Sequence, residues 1–359
     1  MPKAGRLSFA DSLRRALAGD TPAMPWLVPL LDCSAGDAPL LYAAADRARE
    51  ANIGAGVHLR ALIEFSNYCR RNCRYCGLRR ENRAVRRYRM TPEEIVQTAR
   101  DAAAQGYRTV VMQSGEDLWF TGERLAAIIR EIKASADLAI TLSVGERDPE
   151  DYRLWREAGA DRFLLRIETT NPKLFAALHP DDNLAERTAA LLALKELGYQ
   201  LGSGVLVGLP GQTAKMLARD VIWLHRLGAE MIGIGPFIPH PGTPLGRERA
   251  GTIDQTLRLT AVLRLVFPEA HIPATTAAGI VDRSGREKML EAGANVIMPN
   301  VTPAGYRVHY EIYPDKEKAV LLGDAAHTAE FTDRILRTMS RMVAGGHGDV
   351  ARVVKGQKR

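Results

Sequence analysis

Short apolar segments alternate with amphipathic stretches along most of the chain, from about His58 to Asn300. Apolar runs of this length are typical of buried strands, and the polar–apolar period between them is typical of helices. The predicted strands are Leu59–Phe65, Thr109–Ser114, Leu138–Val144, Arg162–Thr169, Leu201–Val207, Met231–Phe237, Ala274–Ala278 and Val296–Pro299. The predicted helices between them include Thr91–Gln105, Gly122–Ser135, Pro149–Ala158, Leu184–Leu197 and Ala214–Leu227.

Eight strand–helix units in about 240 residues give a period near 30 residues, which is the size of a βα unit. A closed barrel accommodates eight units better than an open doubly wound sheet. The predicted fold class is therefore α/β, a (β/α)8 TIM-type barrel over residues 58–300 with N- and C-terminal helical extensions. The extension at 1–57 has its clearest helix at Asp37–Ala51, and the extension at 301–359 has a helix near Thr328–Val343 and a basic tail.

Composition narrows the class of protein. The chain has 359 residues, of which 46% are hydrophobic and 25% charged, as in ordinary folded domains. No stretch approaches the roughly 18 apolar residues of a membrane span, and the N-terminus lacks a secretory apolar core. We expect a cytoplasmic protein with no membrane partner.

The net charge of +7 is concentrated in one segment. Nine arginines lie between Arg70 and Arg89, and they define an arginine rim: residues 70, 71, 74, 79, 80, 83, 86, 87 and 89. A solvated loop surface, a docking face for an acidic protein and an RNA-binding surface are the alternatives. No aromatic stacking motif or basic recognition helix supports RNA, so we expect no nucleic-acid partner.

Three of the four cysteines, Cys69, Cys73 and Cys76, lie within eight residues directly after the first predicted strand. This layout favours a metal or cluster in a reducing compartment over disulfides. Three thiolates without a nearby fourth indicate a cubane [4Fe–4S] cluster with one open iron. The alternative is a structural zinc site, but that needs four ligands, and neither His58 nor Cys33 has a usual spacing.

The C-x3-C-x2-C spacing after a first barrel strand resembles the radical S-adenosylmethionine (SAM) superfamily. The resemblance implies that SAM binds the open iron and is cleaved reductively to methionine and a 5′-deoxyadenosyl radical. Tyr75 matches the aromatic residue beside the adenine, and Gly115 and Glu116 match the motif that holds the SAM amino group. The run from Gly204 through Gly208 resembles the glycine-rich segment along the adenosine, although glycines in a strand more often serve packing.

Strand parity provides a separate argument. Arg162, Leu164, Arg166 and Glu168 alternate along the fourth strand and therefore share a face. If that face points inward, the barrel has a cationic interior suited to an anionic ligand; the alternatives are an outward face or mutual pairing. The same parity groups Met112 with Ser114 and Glu116, and Thr141 with Ser143.

Longer runs resemble the HydE-type maturase of [FeFe]-hydrogenase. They include EFSNYCRRNCRYCGLRRENR (64–83), VGLPGQT (207–213), IGIGPFIPHPGTPL (232–245), IPATTAAG (272–279) and GANVIMPN (293–300). The resemblance implies that the radical attacks the sulfur of a cysteine-bound iron carrying two carbonyls and a cyanide, in H-cluster assembly with partner maturases. It implies SAM contacts from Tyr75, Glu116, Glu168 and Arg187. It also implies a substrate cavity formed by Ser114, Thr141, Arg162, Arg166, Met231, Thr275, Thr276, Met298, Tyr310 and Tyr313.

Two features depart from that family. Ile167 replaces a usual histidine, and by parity it faces away from the cavity; no cysteine follows Cys76, so a second cluster is not expected. A biotin-synthase-like sulfur inserter is disfavoured for the same reason. A methylornithine-synthase-like mutase, a non-enzymatic carrier of iron complexes and a zinc-stabilised RNA-binding barrel stay open. Flavodoxin or ferredoxin is the expected electron donor, with Arg79 and Arg80 in its docking face.

Overall fold

The computed structural model describes residues 7–314, 332–333, 336–337, 339 and 341–350. A parallel sheet of six strands, in the order β2-β3-β4-β5-β6-β7, forms most of the barrel wall, and β8-β1-β9 form a second parallel sheet. The strands are β1 Gly56–Leu59, β2 Ala61–Ser66, β3 Thr109–Ser114, β4 Ala139–Ser143, β5 Arg162–Leu164, β6 Gln200–Val207, β7 Met231–Pro236, β8 Val296–Ile297 and β9 Met342–Val343.

Between β7 and β8 the barrel closes through isolated bridges, where a regular strand was expected. The segment 271–273 bridges β7 on one side and β8 on the other, and Asn300 bridges Leu62 of β2. The predicted strand Ala274–Ala278 is wrong: Thr276–Val281 is a helix, because only the residues before Thr275 are extended and the Ala-rich run after it favours helix. The predicted barrel fold is nevertheless confirmed.

The helices cover the outside of the wall. The five helices predicted between the strands form within one or two residues of their expected bounds; Thr91, for instance, begins α4 with a reciprocal capping box to Glu94. The helices are α1 Phe9–Leu17, α2 Met24–Leu31, α3 Ala38–Ile53, α4 Pro92–Ala104, α5 Gly122–Ser135, α6 Pro149–Glu157, α7 Pro172–Leu178, α8 Leu184–Glu196, α9 Ala214–Leu227, α10 Ile253–Val266, α11 Thr276–Val281, α12 Gly285–Glu291 and α13 Ala304–Arg307.

The terminal extensions pack against the barrel. Helices α1 to α3 contact α9 and α10, and Cys33, which lies between α2 and α3 along the chain, is buried. Half of the predicted helix at 328–343 lies outside the described residues; 332–333 and 336–337 are helical, and the last two residues form β9, which pairs with β1. Within the described residues, no helix combines the length and apolarity needed to cross a membrane.

Candidate active site

A cavity of about 930 Å³ opens at the carboxyl ends of the strands, where barrel active sites form. Alternate residues of β2 and β4 line it, because side chains in a strand point to opposite faces. Leu62 and Glu64 of β2 face it, as do Thr141 and Ser143 of β4. The three cysteines of the loop after β2 line the same space.

The cysteine loop has a geometry that fits an iron–sulfur cluster. Cys69, Cys73 and Cys76 all line one cavity. Burial raises the pKa of the Cys73 thiol well above its usual range, and the neighbouring Cys76 and Cys69 raise it further. Among the described residues, no group of three His, Cys, Asp or Glu side chains is arranged to hold a single metal ion. The thiols instead border a cavity, which leaves room for a larger cluster between them.

Gly115 lets the loop after β3 approach the cysteine loop. A Cβ at this position would lie 2.2 Å from the carbonyl oxygen of Tyr68 and 2.8 Å from the Cβ of Cys69. The next backbone N–H, that of Glu116, points at the Sγ of Cys69 across 3.4 Å. A hydrogen-bond donor at this place stabilises a thiolate, which supports the cluster interpretation.

The Glu116 carboxylate is fixed between two loops. Its Oε2 accepts hydrogen bonds from Arg70 at 3.0 Å and Arg71 at 2.7 Å, and its Oε1 accepts from the backbone N–H of Glu146 at 3.0 Å. The left-handed Gly145, with φ of +75°, packs directly on the Glu116 side chain. Glu116 therefore reaches the cavity in one orientation beside the cysteines.

Tyr75 forms a second fixed group between the cysteines and β5. Its hydroxyl lies 3.1 Å from Nε2 of His179 and 3.4 Å from Oε1 of Glu168. Nδ1 of His179 lies 3.1 Å from the Phe175 carbonyl oxygen, so Nδ1 carries the proton and Nε2 accepts from the tyrosine. Burial, reinforced by the charge of Arg187, lowers the pKa of His179 to about 4 and keeps it neutral.

Glu168 occupies a strained turn a few residues after β5, the fourth strand of the barrel wall. Its φ is +62°, and it is the one non-glycine residue with a positive φ in the part of the chain that the structure describes. The turn is held from outside by Asp220 of α9, which accepts hydrogen bonds from the backbone N–H of Thr170 at 2.7 Å and from its hydroxyl at 2.5 Å. The Glu168 carboxylate consequently points into the cavity, 2.9 Å from Arg166.

Arg187 of α8 reaches the cavity from a buried ion-pair network. It contacts Glu146 and Asp182, the latter at 2.5 Å, and donates to the carbonyl oxygen of Arg166 at 2.7 Å. These acidic neighbours outweigh desolvation and raise its pKa, so Arg187 stays charged. Neither acidic partner carried a motif in the sequence: Asp182 precedes Arg187 by five residues, and Glu146 lies 41 residues away on another loop.

Most of the predicted site residues converge on this one cavity. Burial raises the pKa of Tyr310 and of Tyr313, so both phenols stay protonated and able to donate. Of the residues expected for the substrate and SAM, those that line the cavity are Ser114, Thr141, Arg166, Met231, Thr275, Thr276, Met298, Tyr310 and Tyr313, together with Tyr75, Gly115, Glu116, Glu168 and Arg187.

Three predicted residues do not line the cavity: Gly204, Gly208 and Arg162. Gly204 allows close strand approach, since a Cβ there would lie 1.8 Å from the Gly233 carbonyl oxygen. Gly208 has φ of +80° and packs against Gly251. Both glycines thus serve backbone packing, which was the alternative raised by the sequence.

Arg162 does not lie in the substrate cavity, where the sequence analysis placed it. It lies at the start of β5, so its fully buried guanidinium points inward but toward the amino-terminal mouth of the barrel. There it donates to Gln200 Oε1 at 2.6 Å, to Thr109 Oγ1 at 3.3 Å and to the His347 carbonyl oxygen at 2.8 Å. The parity argument identified its face correctly but could not give its depth along the barrel.

The predicted parity of β3 is also wrong. Val111 and Gln113 face the cavity, while Met112 is buried in the apolar core. Ser114 still reaches the cavity because the register between β2 and β3 shifts at a bulge where the strands end. Ile167 lies in the core, in agreement with its expected orientation.

Several cavity residues were missed. Glu64 is 1% exposed and accepts a hydrogen bond from Asn300 at 2.8 Å, and Arg286 and His271 also line the cavity. Alternation along β2 could have identified Glu64 by the same reasoning that selected Arg166. No local pattern marks Arg286, which belongs to α12, or His271, which belongs to the irregular closing segment.

The arginine rim is only partly a surface. Arg71 and Arg89 form ion pairs with Glu116 and Asp117, Arg87 donates to backbone carbonyls of its own loop, and Arg79 is 9% exposed. Of Arg79 and Arg80, which were expected in the docking face for an electron donor, Arg79 is therefore buried and Arg80 is exposed. The exposed members are Arg70, Arg74, Arg80, Arg83 and Arg86.

Comparison with known families places this site in context. Residues 63–224 match the model of the radical SAM superfamily, and residues 234–330 match that of the Biotin and Thiamin Synthesis associated domain. The first range contains the cysteine loop and strands β3 to β6; the second contains the last half of β7 and the segments that close the barrel.

The chain is 52% identical over 276 residues to the [FeFe] hydrogenase maturase subunit HydE of Thermotoga maritima, which covers 77% of this chain and 79% of that protein. It is 30% identical to the 3-methylornithine synthase of Methanosarcina acetivorans, over 72% of this chain and 73% of that one.

Solved structures share the fold. Methylornithine synthase (PylB) superposes with a TM-score of 0.82 at 27% identity, covering 93% of this chain and 97% of the other. The maturase HydG from Carboxydothermus hydrogenoformans superposes with a TM-score of 0.77 at 20% identity, covering 92% and 78%. The chain therefore belongs to the radical SAM superfamily, as an enzyme of the [FeFe] hydrogenase maturase HydE family that uses a [4Fe–4S] cluster and S-adenosylmethionine.

Proposed function

We propose that this enzyme acts in assembly of the [FeFe]-hydrogenase H-cluster, on a cysteine-bound iron complex with two carbonyls and a cyanide. Partner maturases supply that substrate and take up the product. The observation that supports this most is the 52% identity to a HydE protein, combined with the convergence of the expected substrate residues on one cavity. When bound, the cluster and SAM supply an electron and a 5′-deoxyadenosyl radical.

The residues of the chain divide the cavity into two halves. Cys69, Cys73 and Cys76 hold the cluster. Tyr75, Glu116, Glu168 and Arg187 bind and orient SAM: the carboxylates suit its ammonium and ribose hydroxyl groups, and the guanidinium suits its carboxylate.

The substrate half faces that site from the other strands. Arg166, Thr275 and Thr276 offer charged and hydroxyl donors for the carboxylate and cyanide of an anionic iron complex. Ser114, Thr141 and the protonated Tyr310 and Tyr313 add neutral donors, and Met231 and Met298 provide apolar surface for the carbonyls.

The direct test is methionine release by anaerobically reconstituted enzyme with SAM and dithionite, with and without the synthetic iron complex. Strong stimulation by the complex, lost in Arg166→Met, is expected. Slow release that the complex does not change would contradict the proposed substrate while leaving the radical SAM assignment intact.

A methylornithine-synthase-like mutase is the second candidate, favoured by the TM-score of 0.82 to PylB. Lysine in place of the iron complex discriminates the two. Conversion of lysine to a branched isomer would support the mutase, and its recovery unchanged would favour the maturase.

A further inference from the structure

Three large apolar side chains are exposed together beside the cluster loop. Tyr68, Leu118 and Trp119 have 36%, 53% and 40% of their surface exposed and form what we call the aromatic patch. The guanidinium of Arg89 stacks on the Tyr68 ring at 3.7 Å and lies 5.7 Å from the Trp119 ring, so it joins the two rings into one surface. A contiguous group of exposed apolar side chains marks an interaction site, whereas single exposed apolar residues are ordinary at a protein surface.

The patch is held rigidly. Asp117 forms a bidentate ion pair with Arg89 at 2.6 and 3.0 Å, and it accepts from the Ser66 hydroxyl at 2.7 Å and the Trp119 backbone N–H at 3.1 Å. A surface fixed before binding loses less conformational entropy when a partner docks. The ion pair between Asp117 and Arg89 thus holds the Tyr68 and Trp119 rings in place at the surface.

The patch is the outer side of the two loops that hold the cluster. Tyr68 directly precedes Cys69, and its carbonyl packs on Gly115. On the other loop, the N–H of Glu116 points at the Cys69 sulfur, and Leu118 follows two residues later. A partner that contacts Tyr68 therefore contacts the residue directly before Cys69 in the chain.

Positive charge surrounds the aromatic centre. Arg124 lies over the Trp119 ring at 3.9 Å, and the side chain of Arg70 is 43% exposed. Exposed Arg86 is adjacent, since its carbonyl accepts from Asn67, the neighbour of Tyr68. The aromatic patch is thus surrounded by arginines, and aromatic residues and arginine are the residue types that dominate the binding energy at protein interfaces.

We propose that the aromatic patch and these arginines dock an acidic one-electron carrier protein that reduces the cluster. The proposal rests on the proposed function, in which the cluster must be reduced before SAM is cleaved. One electron passes from carrier to cluster, the carrier is oxidised by one electron, and no bond forms or breaks. The arginines attract the acidic carrier, and the rings exclude water around its redox group.

The test is stopped-flow reduction of the reconstituted enzyme by reduced flavodoxin and, separately, by a reduced ferredoxin. Leu118→Glu and Arg86→Glu change the proposed surface. Leu40→Glu on α3 and Arg226→Glu on α9 make the same charge changes at exposed positions elsewhere. At low ionic strength both surface variants should lower the second-order rate constant about tenfold, with less effect at high salt.

Dithionite separates this inference from the proposed function. All four variants should be reduced by dithionite at the wild-type rate and should then release methionine in response to the iron complex. Equal carrier rates in surface and control variants, or no reduction of the wild type by either carrier, would overturn the docking proposal. Loss of the dithionite-driven response in the wild type would instead count against the proposed function.

Discussion

The imidazole of His179 is confined to one tautomer by its two neighbours. The Phe175 carbonyl takes the proton on Nδ1, and Nε2 is left to accept from Tyr75. A protonated ring would lose that acceptor and place a second positive charge near Arg187. The low pKa of about 4 follows from burial first and from this charge second.

We expect the stability of the apo-protein to fall between about pH 7.5 and about pH 5.5, with His179 contributing about 1.4 kcal/mol of the fall. In this window the unfolded chain, whose histidine titrates near 6.5, binds more protons than the folded chain. His179→Phe should remove that share of the pH dependence of urea unfolding, whereas exposed His225→Phe should not. Identical pH dependence in wild type and His179→Phe would contradict the assignment.

Arg162 and Arg166 are a natural comparison because they share a strand face at different depths. Arg162→Met should lower the free energy of unfolding by about 3 kcal/mol, since it removes several buried hydrogen bonds. Its dithionite-driven methionine release should stay near wild type. Arg166→Met should show the reverse pattern: its free energy of unfolding should stay near that of wild type, and the iron complex should stimulate its methionine release at least about tenfold less. Urea unfolding and methionine release measure both, and matching phenotypes would contradict this division of roles.

At the scale of elements, the end of the fourth barrel strand departs most from regular geometry. Regular pairing stops at Leu164, and the chain returns to β6 through the Glu168–Val205 bridge. The sequence predicted a strand to Thr169 because alternation continues to that point. The positive φ at Glu168 depends on contacts from β6 and α9, which no local pattern contains.

The strain at Glu168 can be measured with a matched pair of variants. Glu168→Gly should be about 1 kcal/mol more stable than Glu168→Ala, because glycine tolerates a φ of +62° and alanine does not. Both variants should bind SAM about tenfold more weakly than wild type, through loss of the carboxylate. Urea unfolding of the apo-proteins and equilibrium binding of SAM test the two parts, and a glycine variant no more stable than the alanine variant would contradict the strain.

Elements with local signals were predictable, and elements made by tertiary contacts were not. The Thr91 capping box marked the start of α4, and alternation found the cavity face of β4. The regular register pairs Leu62 with Val111 and Glu64 with Gln113, so β3 turns Val111 and Gln113 to the cavity, and pairing between strands is a tertiary contact that no local pattern contains. The short helix α11 replaced a strand where the closing segment turns away from the wall.

At the scale of the molecule, the two mouths of the barrel differ in chemistry. The carboxyl-end mouth contains the cysteine loop and the cavity. The opposite mouth is covered by residues 341–350, where β9 pairs with β1 and Asp349 pairs with Arg162 at 2.5 Å. The repeat period predicted the barrel, and the loop position predicted the active mouth, but nothing local predicted that the distal C-terminal residues cover the other one.

The proposed function requires that this cavity bring the adenosyl carbon of SAM to the sulfur of the iron-bound cysteine. Mass spectrometry of a single-turnover reaction, with 5′-¹³C SAM and ³⁴S-cysteine in the iron complex, tests it most directly. We expect an acid-quenched product in which the labelled carbon is bonded to the labelled sulfur, and we expect Cys69→Ala to form none. Labelled 5′-deoxyadenosine with no carbon–sulfur product would contradict it.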